Sequence, residues 1–157
     1  MIALGAFVLM EPFTAFVHRC VMHRVGLVLH RSHHRRVRSG ESPRRWEAND
    51  AFPVVFAGVV MLGFAIGFNV AGLGVLVPIG VGITAYGAAY ALVHDAYIHR
   101  RLPLFGERTV PVFERLAIAH RRHHDRNGAP YGMLVPISPR EIEGAKGSRP
   151  SHEPVDA

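Results

Sequence analysis

From Ala51 to Val93, 43 consecutive residues carry no Lys, Arg, Asp, Glu or His side chain. At about 1.5 Å per helical residue the run allows two crossings of a ~30 Å hydrocarbon core with a bend between them. "NVAGLG" at 69–74 supplies Asn and Gly where that bend falls, which predicts helices near 51–68 and 73–93. Residues 1–22 form an earlier apolar stretch broken by Glu11, His18 and Arg19. It has no basic start and no cleavage site, so it reads as a membrane helix that stays attached. Its purely apolar part is short for a full span, so its start reads as clipped. Residues 24–50 are polar and basic, with a break at "SGESP", 39–43. After the hairpin, 94–101 turns polar, 102–111 reads as a loop and 112–124 as a helix. From about 138 the chain has little to bury. The expectation is an all-α integral membrane bundle of about four membrane-embedded helices over 1–137, followed by a disordered tail, 138–157.

Composition adds direction to this pattern. The 157 residues suit one domain; 49% are hydrophobic and the formal charge is +6. Most of the arginines lie in 30–45 and 100–126, on either side of the apolar run. A hairpin that crosses and returns places both segments on one face, which the arginine bias makes cytoplasmic. A single cysteine, Cys20, excludes an internal disulfide framework.

The histidines change the picture most. Ten of eleven fall into four groups. His18 and His23 are spaced His-x4-His; His30, His33 and His34 are spaced His-x-x-His-His. His94 and His99 repeat the pair, and His120, His123 and His124 repeat the triplet; His152 alone stands apart. On an ideal helix His33 lies about −60° and His34 about +40° from His30, so each triplet can face one centre. Five residues rotate about 140°, so a His-x4-His pair reaches one site by straddling it, at a helix end, or through a π-bulge. Five imidazoles per half suit two metal ions. Imidazole suits zinc, copper, iron and nickel. Structural zinc prefers four closed ligands, often thiolates, which ten histidines and one cysteine fit poorly. A redox-active pair, iron foremost, fits better. A headgroup or nucleic-acid patch built on Arg31, Arg35, Arg36, Arg121 and Arg122 would leave the histidine spacing idle, and a metal transporter would need polar residues midway through 51–93.

Four further residues are candidates for holding the ligands in place. Glu11 is an acid inside a membrane helix, seven residues before His18 and about 20° off its face. It is expected to accept a ligand N–H, or else to mark the helix's interfacial end. Asp95 adjoins His94, and Asn49 and Asp50 close the polar loop; each is expected to hold a ligand or cap a helix. No catalytic residue separate from the metal ligands is expected.

"HRCVMH", then "HRSHH", "WEAND", "VHDAYIH" and "AHRRHH" in order resemble the bacterial beta-carotene hydroxylase family, within the histidine-rich di-iron membrane hydroxylase and desaturase-like group. The resemblance covers about residues 10–126. It implies a membrane monooxygenase with two non-haem irons on His18, His23, His30, His33, His34, His94, His99, His120, His123 and His124. It implies O2-dependent hydroxylation at carbon 3 of beta-ionone rings, giving cryptoxanthin and then zeaxanthin. The carotenoid would arrive from the bilayer, with electrons from a ferredoxin-type donor and its reductase, at a bacterial cytoplasmic membrane and with no nucleic-acid partner. A carotenoid ketolase or a fatty-acid or sterol hydroxylase would use the same scaffold. After the last triplet, "DRNGAPYGMLVP" departs from the family's usual run.

Overall fold

A computed structural model describes residues 1–35 and 46–135, so "SGESP", Arg36, His152 and the tail from 138 lie outside it. The described residues are helical, with no strand among them. Helix α1 spans Ile2–Val17 and runs directly into a π-helical stretch, His18–Val25. A short α2, Leu27–His30, follows. A 3-10 turn, Ala48–Asp50, leads into α3, Ala51–Asn69. Helix α4, Leu76–Ala91, becomes π-helical over Leu92–Ile98, and α5 spans Pro111–Arg126.

Three helical runs are long and apolar enough to cross a membrane: Ile2–Val25, Ala48–Asn69 and Leu76–Ile98. The fourth large helix, α5, is amphipathic instead. Its Leu116, Ala117, His120 and His123 are buried on one face while Arg126 and Asp125 stay exposed. Nothing in α3 is buried; Val54, Val59, Leu62 and Phe68 are each more than half exposed. A helix apolar on every side, with its larger side chains turned outward, belongs in hydrocarbon rather than water.

Helix α4 lies between α1 and α3. At Gly82 a β-carbon would sit 2.1 Å from the Ala3 carbonyl oxygen, so only glycine lets the two backbones meet there. Such small-residue contacts are the means by which membrane helices pack where lipid removes the hydrophobic drive. The hairpin turn after Asn69 contains Gly72 at φ 82, a left-handed residue that breaks the helix. It sends α4 back, so the start of α3 and the ends of α1 and α4 share one face. Val93, Tyr97, Ile98, Leu116, Ala117 and Met133 form a buried cluster that seats α5 on the Leu92–Ile98 stretch. Asn127, at φ 51, ends α5 in the left-handed conformation asparagine tolerates well.

Candidate metal centre

His18 and His23 lie within one π-helical segment; His94 lies within the other and His99 caps its end. An i→i+5 ladder brings residues five apart onto one face, which an ordinary helix does not. The backbone records this at the second pair, where His99 N–H donates to the His94 carbonyl at 2.9 Å. Gly26 N–H likewise donates to Val21 at 2.8 Å at the end of the first stretch. Of the three routes the spacing left open, the π-helix is the one used.

All ten paired and tripled histidines converge, in two groups. One holds His18, His23, His30, His34 and His123; the other holds His33, His94, His99 and His120. Within each group one ring nitrogen per residue lies within 4.8 Å of every other. His124 joins the second group through His120, Nε2 to Nε2 at 2.8 Å, and its ring stacks on His34 at 4.5 Å, linking the two groups.

This division corrects the expectation that each triplet faces one centre. His30 and His34 do share a centre, Nε2 to Nε2 at 3.0 Å, but His33 turns to His94, also at 3.0 Å. In the second half His120 and His124 stay together while His123 crosses to His23 at 3.2 Å. The physical reason is angular: positions i+3 and i+4 lie about 100° apart round a helix, enough to address neighbouring centres. Each half of the repeat thus lends its middle triplet histidine to the other.

The outward nitrogens explain the inward ones. His30 Nδ1 lies 2.7 Å from Asn49 Oδ1, and His18 Nδ1 3.2 Å from the Tyr131 carbonyl. His123 Nδ1 donates to the Gly128 carbonyl. His33 Nδ1 lies 3.1 Å from Glu47 Oε2, and His94 Nδ1 3.1 Å from Asp95 Oδ1. Each oxygen accepts, so each Nδ1 carries the proton and each Nε2 presents a lone pair. Burial pushes His30 and His123 down to about 4 and His34 to about 3, and lowers His99, His120 and His124 as well. Those six rings are therefore neutral at pH 7.

Neutral imidazoles whose lone pairs meet at 3.0–3.2 Å repel one another unless a cation stands between them. Nitrogens held at right angles about 2.1 Å from a common ion would be about 3.0 Å apart. The donor set therefore fits one divalent metal per group. His34 Nδ1 is buried without a partner at the seam between the groups.

The other candidates separate. Asn49 and Asp95 touch ligand histidines as described above. Asp50 does not: its carboxylate accepts the Glu47 N–H at 2.9 Å and pairs with Arg101 at 2.6 Å. It closes the 3-10 turn rather than holding a histidine. Arg101 also reaches Asp95 at 3.1 Å, tying that turn to the second pair. Glu11 does not hold a histidine either. Its carboxylate accepts from Tyr86 Oη and from the backbone N–H groups of Met133, Leu134 and Val135, and none of these described partners is a histidine. Sequence reasoning missed Glu47, although it sits in "WEAND" next to two named residues. It also missed the Tyr131 and Gly128 carbonyls, since backbone acceptors carry no residue-type signal.

A family model described as fatty acid hydroxylase matches residues 3–140. The chain is 36% identical to the beta-carotene hydroxylase of Pseudescherichia vulneris, over 98% of this chain and 86% of that protein. It is 38% identical to the chloroplastic beta-carotene hydroxylase 1 of Capsicum annuum, over 90% of this chain and 44% of that one. It is 37% identical to the chloroplastic beta-carotene 3-hydroxylase 1 of Arabidopsis thaliana, over 94% of this chain. The chain spans under half the length of these plant relatives, 44% and 46%. No solved structure matches it.

Proposed function

The chain belongs to the fatty acid hydroxylase family, and on that premise we propose that it is a beta-carotene 3-hydroxylase using a histidine-held di-iron centre. The observation that carries the reading is the pair of all-imidazole groups gathered where three apolar helical runs end. The relatives' names supply the substrate class. We assign residues 1–137 as the hydroxylase domain; the match to residue 140 and the burial of Met133 support that limit.

His18, His23, His30, His34 and His123 would hold one iron; His33, His94, His99 and His120, with His124, the other. Two such irons, when bound, would supply the dioxygen reduction needed to oxidise an unactivated ring C–H. The balance per hydroxylation is one O2, two electrons and two protons consumed, with one oxygen in the new C–OH bond and one in water. Ferredoxin-type electron supply fits that balance. The protein's share is positional. Asn49, Glu47 and Asp95 hold imidazoles in the tautomer that leaves Nε2 free. Leu92–Ile98 and α5 wall the second group away from water. The polyene of a C40 substrate would remain in hydrocarbon while its ring reached the metals. Arginines 31, 35, 100, 101, 121, 122 and 126 crowd the same end, which by the positive-inside bias would face the cytoplasm.

The test is expression in a beta-carotene-accumulating bacterium with product analysis by chromatography and mass. Cryptoxanthin and zeaxanthin are expected, and His33→Ala and His123→Ala are expected to abolish both. Unchanged beta-carotene beside a folded, iron-loaded protein would refute the reading. A keto-carotenoid, or a hydroxylated fatty acid or sterol, would move the activity to another substrate on the same scaffold.

A further inference from the structure

Glu11 is left without a role by the histidine chemistry, yet it is the acid most tightly wrapped. It is 7% exposed, inside a candidate membrane span. Tyr86 Oη donates to Oε2 at 2.6 Å, and the N–H groups of Met133, Leu134 and Val135 donate to Oε1 at 2.8, 3.1 and 3.0 Å. The Thr14 hydroxyl lies 2.8 Å from that of Tyr86. A β-carbon at residue 132 would fall 2.6 Å from Oε1, so Gly132 is required for the carboxylate to fit. Three consecutive backbone donors, a phenol and a missing side chain all serve one carboxylate. An uncompensated acid at this depth would be costly, so the fold has built around it.

What Glu11 holds is the strap that leaves α5. Between Asn127 and Val135 that strap crosses the first imidazole group. Its Gly128 carbonyl takes the His123 Nδ1–H and its Tyr131 carbonyl faces His18 Nδ1. The Tyr131 ring packs edge-on against His18, His23 and His123 at 5.4–5.6 Å. Nothing in the strap's described contacts with imidazoles reaches the second group. We infer that Glu11 is a positioning residue for the first metal site alone, clamping the strap so that its carbonyls orient His18 and His123.

The inference rests on the two-metal reading, and the experiment separates them. The full chain in lipid nanodiscs is titrated with cobalt(II), whose visible spectrum reports nitrogen ligation. Wild type takes up two equivalents. Glu11→Gln should keep one tight equivalent and weaken the other by about 10- to 100-fold, the range for lost outer hydrogen bonds to metal ligands. Tyr86→Phe keeps the volume, removes one donor and should weaken the same equivalent several-fold; it carries the test where Glu11→Gln does not fold. Two equivalents bound as in wild type, or both weakened equally, would overturn the clamp and leave the two-metal reading standing. Fewer than two in wild type would overturn both.

Discussion

The two imidazole groups use the same ligand type and different backing. In the first, the outward nitrogens meet neutral oxygens: the Asn49 amide and the Tyr131 and Gly128 carbonyls. In the second they meet carboxylates, Glu47 on His33 and Asp95 on His94, with Arg101 steadying the latter. A carboxylate behind an imidazole makes it the more basic ligand and offsets metal charge that neutral rings cannot. Burial does not separate them: His23 and His34 are partly exposed in the first group, His99 and His124 in the second. Two metals in such surroundings should differ in affinity, the second site filling first. The repeated sequence motif therefore does not yield a symmetric site.

The harshest way to break this comparison is to remove the histidines that cross. His33→Ala should empty the second site and His123→Ala the first, each lowering product formation by more than about 100-fold, since a lost ligand costs more than the 10- to 100-fold of an outer partner. Metal content per protein, read by elemental analysis, should fall by one equivalent in each case. Exchanging the backing is gentler. Glu47→Gln should lower the affinity of the second site by about 10-fold or more, and Asn49→Asp should raise that of the first, narrowing the difference. Competition with a chelator measures both.

Much of this organisation was legible in the sequence for plain reasons. A 43-residue stretch without ionisable side chains has few readings other than a membrane hairpin. A His-x-x-His-His motif repeated in order announces a shared metal site. The crossing of His33 and His123 was not legible, because i+3 and i+4 both belong to one helical face and only the packed bundle decides which centre each meets. Glu11 was visible as an acid in an apolar helix, but its partners lie 75 and more than 120 residues away. Its neighbour in helical register, His18, was the misleading candidate.

Arg101 sharpens the comparison further. It bridges Asp50 and Asp95 at 2.6 and 3.1 Å, so Arg101→Leu should loosen the second group several-fold and leave the first unchanged in the same chelator assay. The smallest expected effect concerns acid. Folded His30 and His123 titrate near 4 and His34 near 3, against about 6.5 in an unfolded chain. Below pH 6.5 the unfolded state binds more protons, so the metal-free protein should be most stable above about 6.5 and lose stability as pH falls toward 4. Thermal melting in detergent across that window would follow it, and a melting temperature that rose on acidification would contradict the burial of these rings.

The central claim is that two centres exist and that each draws ligands from both halves of the chain. An anomalous difference map from metal-loaded crystals tests it most directly. The account predicts two peaks, one ringed by His18, His23, His30, His34 and His123, the other by His33, His94, His99 and His120. A single peak, or two peaks with His30, His33 and His34 on one and His120, His123 and His124 on the other, would contradict it.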